Sequence, residues 1–479
     1  MLFPTITFAI FFLVVYVASW LLMPHRRLWK WTIIAASYVF YGWWDWRFVL
    51  LLIVATLVNQ ALALQVRRAR GRSRVKGAGK GWVALAVLAN LGALGYFKYY
   101  GFFVANVQDA LTAVGVGSNL PLLRIVLPVG ISFLVFRMLT YVVDIYRGQL
   151  EPASTLDFGV YTAFFPYLLA GPIARARDIL PQLKEPRDPQ AVDAGRAFVL
   201  ILGGLAKKML IADYLATHIV SGVFSSPQQY SAWETLVGIV AYSVQIYCDF
   251  SAYSDIAIGV SLLLGFELPL NFDAPYTSRS VREFWRRWHI TLSSWLRDYL
   301  YIPLGGNRKG RLRTYFNLVV TMLLGGLWHG ANWSFVFWGG LHGTALALEH
   351  ARAAVRTRRG LPEPGRTAGT RALQRLATFA FVSFAWVFFR ADSVGAAFSV
   401  LWRLVAGLGS LGTAVTWPVI GLIALGIGIQ YVPRLAVERL EGGLARIGWL
   451  GQGAVLAAAL SLIYVLSAQG ASEFLYFKF

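Results

Sequence analysis

The chain has 479 residues, 57% hydrophobic and only 14% charged, with a mean hydropathy of +0.57, which excludes an ordinary water-soluble enzyme. Its net charge of +21 would point to nucleic acid on a soluble protein. Here the basic residues sit in short loops between apolar runs, where they set membrane orientation, so no nucleic-acid partner is expected.

Apolar runs near the roughly 20 residues that cross a bilayer as helix recur from end to end. They are continuous, as in LFPTITFAIFFLVVYVASWLL, rather than alternating as in a closed β-barrel. The fold class expected is an all-α polytopic membrane protein. Leu2 to Leu22 reads as a retained first span, since no basic segment precedes it. The clusters HRRLWK (25–30), RRARGRSRVKGAGK (67–80) and the arginine-rich 351–375 should all be cytoplasmic, which places Met1 outside. Spans follow near 31–44, 47–66, 82–103, 125–145, 155–170, 196–220, 235–265, 376–390, 395–409, 416–432 and 452–468, about 11 spans plus interfacial and re-entrant helices. A single domain over 1–479 is expected, as no long polar stretch separates a soluble part.

Region 276–350 departs from this pattern. Read as one helix, 282–299 puts Arg282, Arg286, His289, Ser293 and Arg297 on one side and Trp285, Trp288, Leu292, Trp295 and Tyr299 on the other. Such a helix lies in the membrane interface. Its arginine face suits the phosphates of coenzyme A, which guanidinium groups bind bidentately, and equally suits anionic lipid headgroups. Residues 314–350 must then enter the membrane and return. The arm 314–328 is roughly 22 Å long as helix, short of the roughly 30 Å hydrocarbon core, so His329 in GGLWHGANW should cap a hairpin that stops inside the membrane. Irregular backbone there is tolerated where it lines a polar cavity.

A neutral histidine at such an apex is a natural general base. It could take the proton of an acceptor hydroxyl attacking an activated acyl group, with Trp328, Trp333 or Asn332 donating to the developing oxyanion. The plainer alternative is a packed histidine bonded to a neighbouring carbonyl. Asp249 and Asp255 need partners in their apolar surroundings, an interfacial arginine among the options. Cys248 reads as inert packing. His342 is a candidate for the same cavity, with no role assigned, and His25, His218 and His350 carry no signal. No metal-ligand spacing or dinucleotide fingerprint is present, so neither a metal nor a bound cofactor is expected.

The block SVREFWRRWHITLSSWLRDYLYIPLGGNRKG, followed by GGLWHGANWSFVFWGGLHG, resembles the signature of the membrane-bound O-acyltransferases, most closely their alginate O-acetylation branch. PYLLAGPIARARDILPQL (166–183), QIYCDFSAYSDIAIGVSLLLGFELPLNFDAPY (245–276), WVFFRADS (386–393) and the closing FLYFKF (474–479) add to it. The likeness is densest over 245–345. It implies a helical bundle around a central tunnel, with His329 catalytic and His289 the second functional histidine. The acyl donor would be cytoplasmic acetyl-coenzyme A. The acceptor would be an extracytoplasmic polysaccharide, alginate-like first and cellulose or peptidoglycan as alternatives, with a periplasmic or cell-surface acetyltransferase as partner. The location would be the bacterial cytoplasmic membrane. Transfer of D-alanine or a fatty acyl group, and a non-enzymatic lipid or polymer transporter, are the competing readings.

Overall fold

A computed structural model describes all residues except 73–76, 118, 119, 122, 124, 362–364, 366, 410, 411, 468–473 and 476–479. Of the closing FLYFKF, only Phe474 and Leu475 fall among the described residues. Every regular element among the described residues is helical. The chain divides into two compact units, Met1–Ala194 with Ala257–Pro269, and Gly195–Ile256 with Leu270–Phe479.

The first unit holds α1 (Ile6–Leu22), α2 (Arg26–Gly42), α3 (Arg47–Arg72), α4 (Lys80–Ala113, with a π-helical turn at Gly95–Tyr99), α5 (Ile131–Arg147) and α6 (Thr155–Ala163). Polar side chains join its helices. Asn90 donates to Asn59 Oδ1 at 2.7 Å, and Tyr141 donates to Gln60 at 2.9 Å. Hydrogen bonds of this kind hold helices together where apolar surface alone gives no preference for a protein neighbour over lipid.

The second unit begins with α7 (Ala194–Ala206) and continues into α8 (Ala232–Leu263), whose last turns belong to the first unit. Then come the short α9 (Val281–Arg287) and α10 (Ile290–Leu296), the hairpin of α11 (Arg311–His329) and α12 (Trp333–Arg358), α13 (Ala368–Arg390), α14 (Val394–Ala406), α15 (Trp417–Gly428), α16 (Arg434–Arg446) and α17 (Trp449–Leu466). Among the described residues, α3, α4, α8, α13 and α17 are long and apolar enough to cross a membrane. A sixth span results if the segments Trp417–Tyr431 and Arg434–Arg446, bent by 89°, are counted together. Several stretches expected as single spans are built from shorter pieces. Residues 155–170 contain α6 and a separate turn at Phe165–Leu168, because Pro166 cannot donate to a continuing helix.

The hairpin forms where expected, but the glycines of GGLWHGANW do not break α11. The helix runs through Gly325 and Gly326 to His329, and only Gly330 turns extended. The glycines instead allow backbone contact between the arms. A Cβ on Gly326 would lie 2.1 Å from the Phe335 carbonyl oxygen, and one on Gly339 would lie 2.2 Å from that of Met322. Small residues permit this approach. Around the hairpin the unit buries Trp288, Trp338, Trp386, Phe388 and Phe389 almost completely.

Candidate active site

His329 is the last residue of α11, and its imidazole is 5% exposed. Aromatic rings pack around it. Trp328 lies at 4.8 Å between centroids, Phe389 at 5.1 Å, and Trp338 at 5.2 Å with its plane at 90°. Asn332 caps the N-terminus of α12, where its Oδ1 accepts from the Ser334 N–H at 2.9 Å and its Nδ2 donates to the Asp392 carbonyl at 2.7 Å. Both ends of that amide are thus committed to structure. Trp333 is exposed, on an apolar flank beside Val336 and Phe337. Of the three side chains expected to donate to an oxyanion, Trp328 is the one whose ring packs against His329.

The segment expected as one amphipathic helix is broken at His289. There α9 has ended, and His289 takes a left-handed conformation (φ 44°) before α10 begins. The reason lies in residues 271–273. The Asp273 N–H donates to the Arg287 carbonyl, and the Ile290 N–H to that of Asn271, both at 2.9 Å. The break turns His289 away from the arginine face, and the ring becomes fully buried. Its Nδ1 lies 3.1 Å from Asn271 Oδ1, which also accepts from the Thr291 hydroxyl at 2.8 Å and the Thr291 N–H at 3.3 Å. An amide oxygen only accepts, so Nδ1 carries the proton and Nε2 the lone pair. Burial lowers the pKa of this imidazole to about 3 and keeps it neutral. Trp328 spans the two histidines, 6.2 Å from His289 and 4.8 Å from His329.

The rest of the expected amphipathic pattern holds. Trp285, Trp288, Leu292 and Trp295 are buried. Arg282, Arg286 and Arg297 line a cavity of about 510 Å³ together with Trp285, Ser293, Tyr301, Thr321, Met322 and His350. Arg297 pairs with Asp298 at 2.7 Å, and that carboxylate raises its pKa. Arg282 and Arg286 are exposed and form no ion pair among the described residues. His329 lies outside this lining, two turns beyond Met322 on α11.

Asp249 and Asp255 are partnered by lysines rather than by interfacial arginines. Lys208 lies 2.7 Å from Asp249 and 2.9 Å from Asp213, while Lys207 binds Asp255. Cys248 is buried and free. Two contributors escaped sequence reasoning altogether. Asn271 and Phe389 sit in stretches that carried the family resemblance, but only the fold brings them to the histidines. His342, fully buried, accepts from Trp285 Nε1 at 3.1 Å and so fixes a wall of the cavity. His350 has no sequence signal, yet it reaches the same cavity two turns further along α12.

The family model described as MBOAT, membrane-bound O-acyltransferase family, matches residues 133–388. A probable alginate O-acetylase of Azotobacter vinelandii is 41% identical over 86% of this chain and 79% of its own length. That of Pseudomonas putida is 37% identical over the whole of both chains. A peptidoglycan O-acetyltransferase of Helicobacter pylori is 34% identical over 79% of this chain and 73% of its own. The apolar helices and this match make the protein a multi-pass membrane protein, and the chain belongs to the membrane-bound O-acyltransferase family.

Proposed function

We propose that the chain takes an acetyl group from acetyl-coenzyme A at the cytoplasmic face of the bacterial inner membrane and delivers it to a hydroxyl group outside, with an alginate-like polysaccharide as the final acceptor. The observation that carries this reading is the course of α11. Its middle, Thr321 and Met322, lines the arginine-bearing cavity, and its end carries His329, seven residues or roughly 10 Å further on.

In this reading Arg282 and Arg286 bind the donor's phosphates, and the thioester extends along α11 past Leu296 and Gly325. His329 takes the proton from the attacking hydroxyl as its oxygen bonds to the thioester carbonyl carbon. The tetrahedral intermediate then expels the thiolate, and the imidazolium returns the proton to sulfur. His289, held neutral by burial, keeps Trp328 in place beside the reacting groups. The names of the alginate and peptidoglycan relatives support a polymer acceptor; the alginate-like one is preferred because those relatives are more similar and cover more of the chain. An extracytoplasmic acetyltransferase would complete delivery, and Met1 would lie on that side.

The test is His329→Ala in purified protein supplied with acetyl-coenzyme A and an acceptor. Thiol release should fall about 10²–10⁴-fold with normal abundance and unchanged thermal stability. A folded variant at wild-type rate would return His329 to packing.

A further inference from the structure

An acyl transfer needs more than a base. The carbonyl oxygen becomes an oxyanion when the acceptor attacks, and preorganised donors aimed at it are commonly the largest single contribution to the rate. Asn332 has both ends of its amide engaged, and Trp333 faces outward. The fold offers another donor that sequence spacing did not reveal. Trp338 lies on α12, nine residues after His329, and the hairpin folds it back so that its ring stands perpendicular to the imidazole at 5.2 Å. The side chain is 1% exposed, and its Nε1–H finds no hydrogen-bond acceptor among the described residues. A buried indole N–H left without an acceptor is costly and uncommon, and its presence beside a reacting group calls for a reason.

Neighbouring rings fix the indole. Trp386 stacks on it at 5.5 Å and 17°, with Phe389 and His342 at 5.2 and 4.9 Å. The N–H therefore points in a set direction and needs no reorganisation when charge develops.

We propose that Trp338 Nε1–H is a catalytic oxyanion donor of the acyl transfer. This rests on the reading of His329 as the general base. In the step, the acceptor oxygen bonds to the carbonyl carbon and its proton passes to His329. The C=O electron pair moves onto oxygen and is held by the Trp338 N–H until the C–S bond breaks and the carbonyl reforms.

The test replaces Trp338 in the full-length protein by its isostere benzothienylalanine, which exchanges the N–H for sulfur while keeping the fused ring, with Trp338→Phe beside it. Thiol release from acetyl-coenzyme A with acceptor present is the readout. The isostere should lower kcat about 100-fold, with the donor KM within about twofold of wild type and thermal stability unchanged, since the transition state alone uses this bond. An isosteric variant with wild-type kcat overturns the assignment, even if Trp338→Phe is less stable, because the ring then acts through packing alone. A wild type that consumes no thioester overturns the general-base reading and this one together. A wild type sensitive to His329→Ala beside a fully active isostere overturns this one only.

Discussion

The hairpin tip at His329 and the broken turn at His289 both bury an imidazole at the end of a helix, but different interactions build them. The tip is made by shape. Glycines bring two backbones into contact, and aromatic rings pack around the imidazole. The turn is made by hydrogen bonds, with one amide oxygen, Asn271 Oδ1, contacting the imidazole and accepting from Thr291, and the 271–273 backbone paired across the break. The difference teaches how each imidazole is held. The His289 ring takes its orientation from an acceptor on a distant segment, whereas the His329 ring is packed among aromatic rings where two helices meet in backbone contact.

The comparison breaks first under changes of shape. Gly326→Ala should abolish accumulation of folded protein, because its Cβ meets the Phe335 carbonyl oxygen at 2.1 Å and backbone cannot yield as a side chain does. Quantifying the membrane-extracted, monodisperse fraction checks this, and a normal yield would mean the arms can separate without loss. Asn271→Ala should affect the turn alone. Removing the acceptor from a buried imidazole N–H costs about 1–3 kcal/mol, visible as a lower Tm. Combined with His289→Gln it should lose less than the sum, since the two act as one unit; additive losses would separate them.

Exchanging Arg286 for Glu should leave both regions folded, because Arg286 is exposed and free of acidic partners among the described residues. The donor KM should rise about tenfold or more, as expected for a lost charge-assisted hydrogen bond to phosphate; an unchanged KM would assign the arginine to lipid.

The turn should also respond to pH. His289 has its pKa lowered from 6.5 to about 3 by burial. The unfolded state therefore binds a proton between those values that the folded state refuses. The contribution is fully present above pH 6.5 and is lost progressively as pH falls toward 3. Thermal unfolding between pH 7 and 5 should show this loss in wild type and a weaker slope in His289→Gln; equal slopes would remove His289 as the cause. The smallest effect is Gly325→Ala. Its Cβ meets only the mobile end of Leu296, at 3.2 Å, so stability should change by less than about 1 kcal/mol, and a collapse on denaturant titration would show that Leu296 cannot move.

Much of this was legible in the chain itself. Hydropathy established the membrane class, and the arginine and tryptophan spacing of 282–299 foretold that Trp285, Trp288, Leu292 and Trp295 bury while Arg282, Arg286 and Arg297 share another side. The position of GGLWHGANW between two apolar arms located the hairpin. These features are local, set by the period of a helix and the length of a run. The break at His289 was not legible, because its cause is an extended segment ending sixteen residues earlier whose backbone competes for the same carbonyl and N–H groups. Nor could spacing distinguish Trp338 from Trp328 and Trp333. Sequence determined that His329 would sit at a hairpin tip between two apolar arms and that the arginines and indoles of 282–299 would lie on opposite sides. Tertiary structure alone decided which way each points, since long-range backbone pairing and close glycine contacts fix orientations that periodicity leaves free.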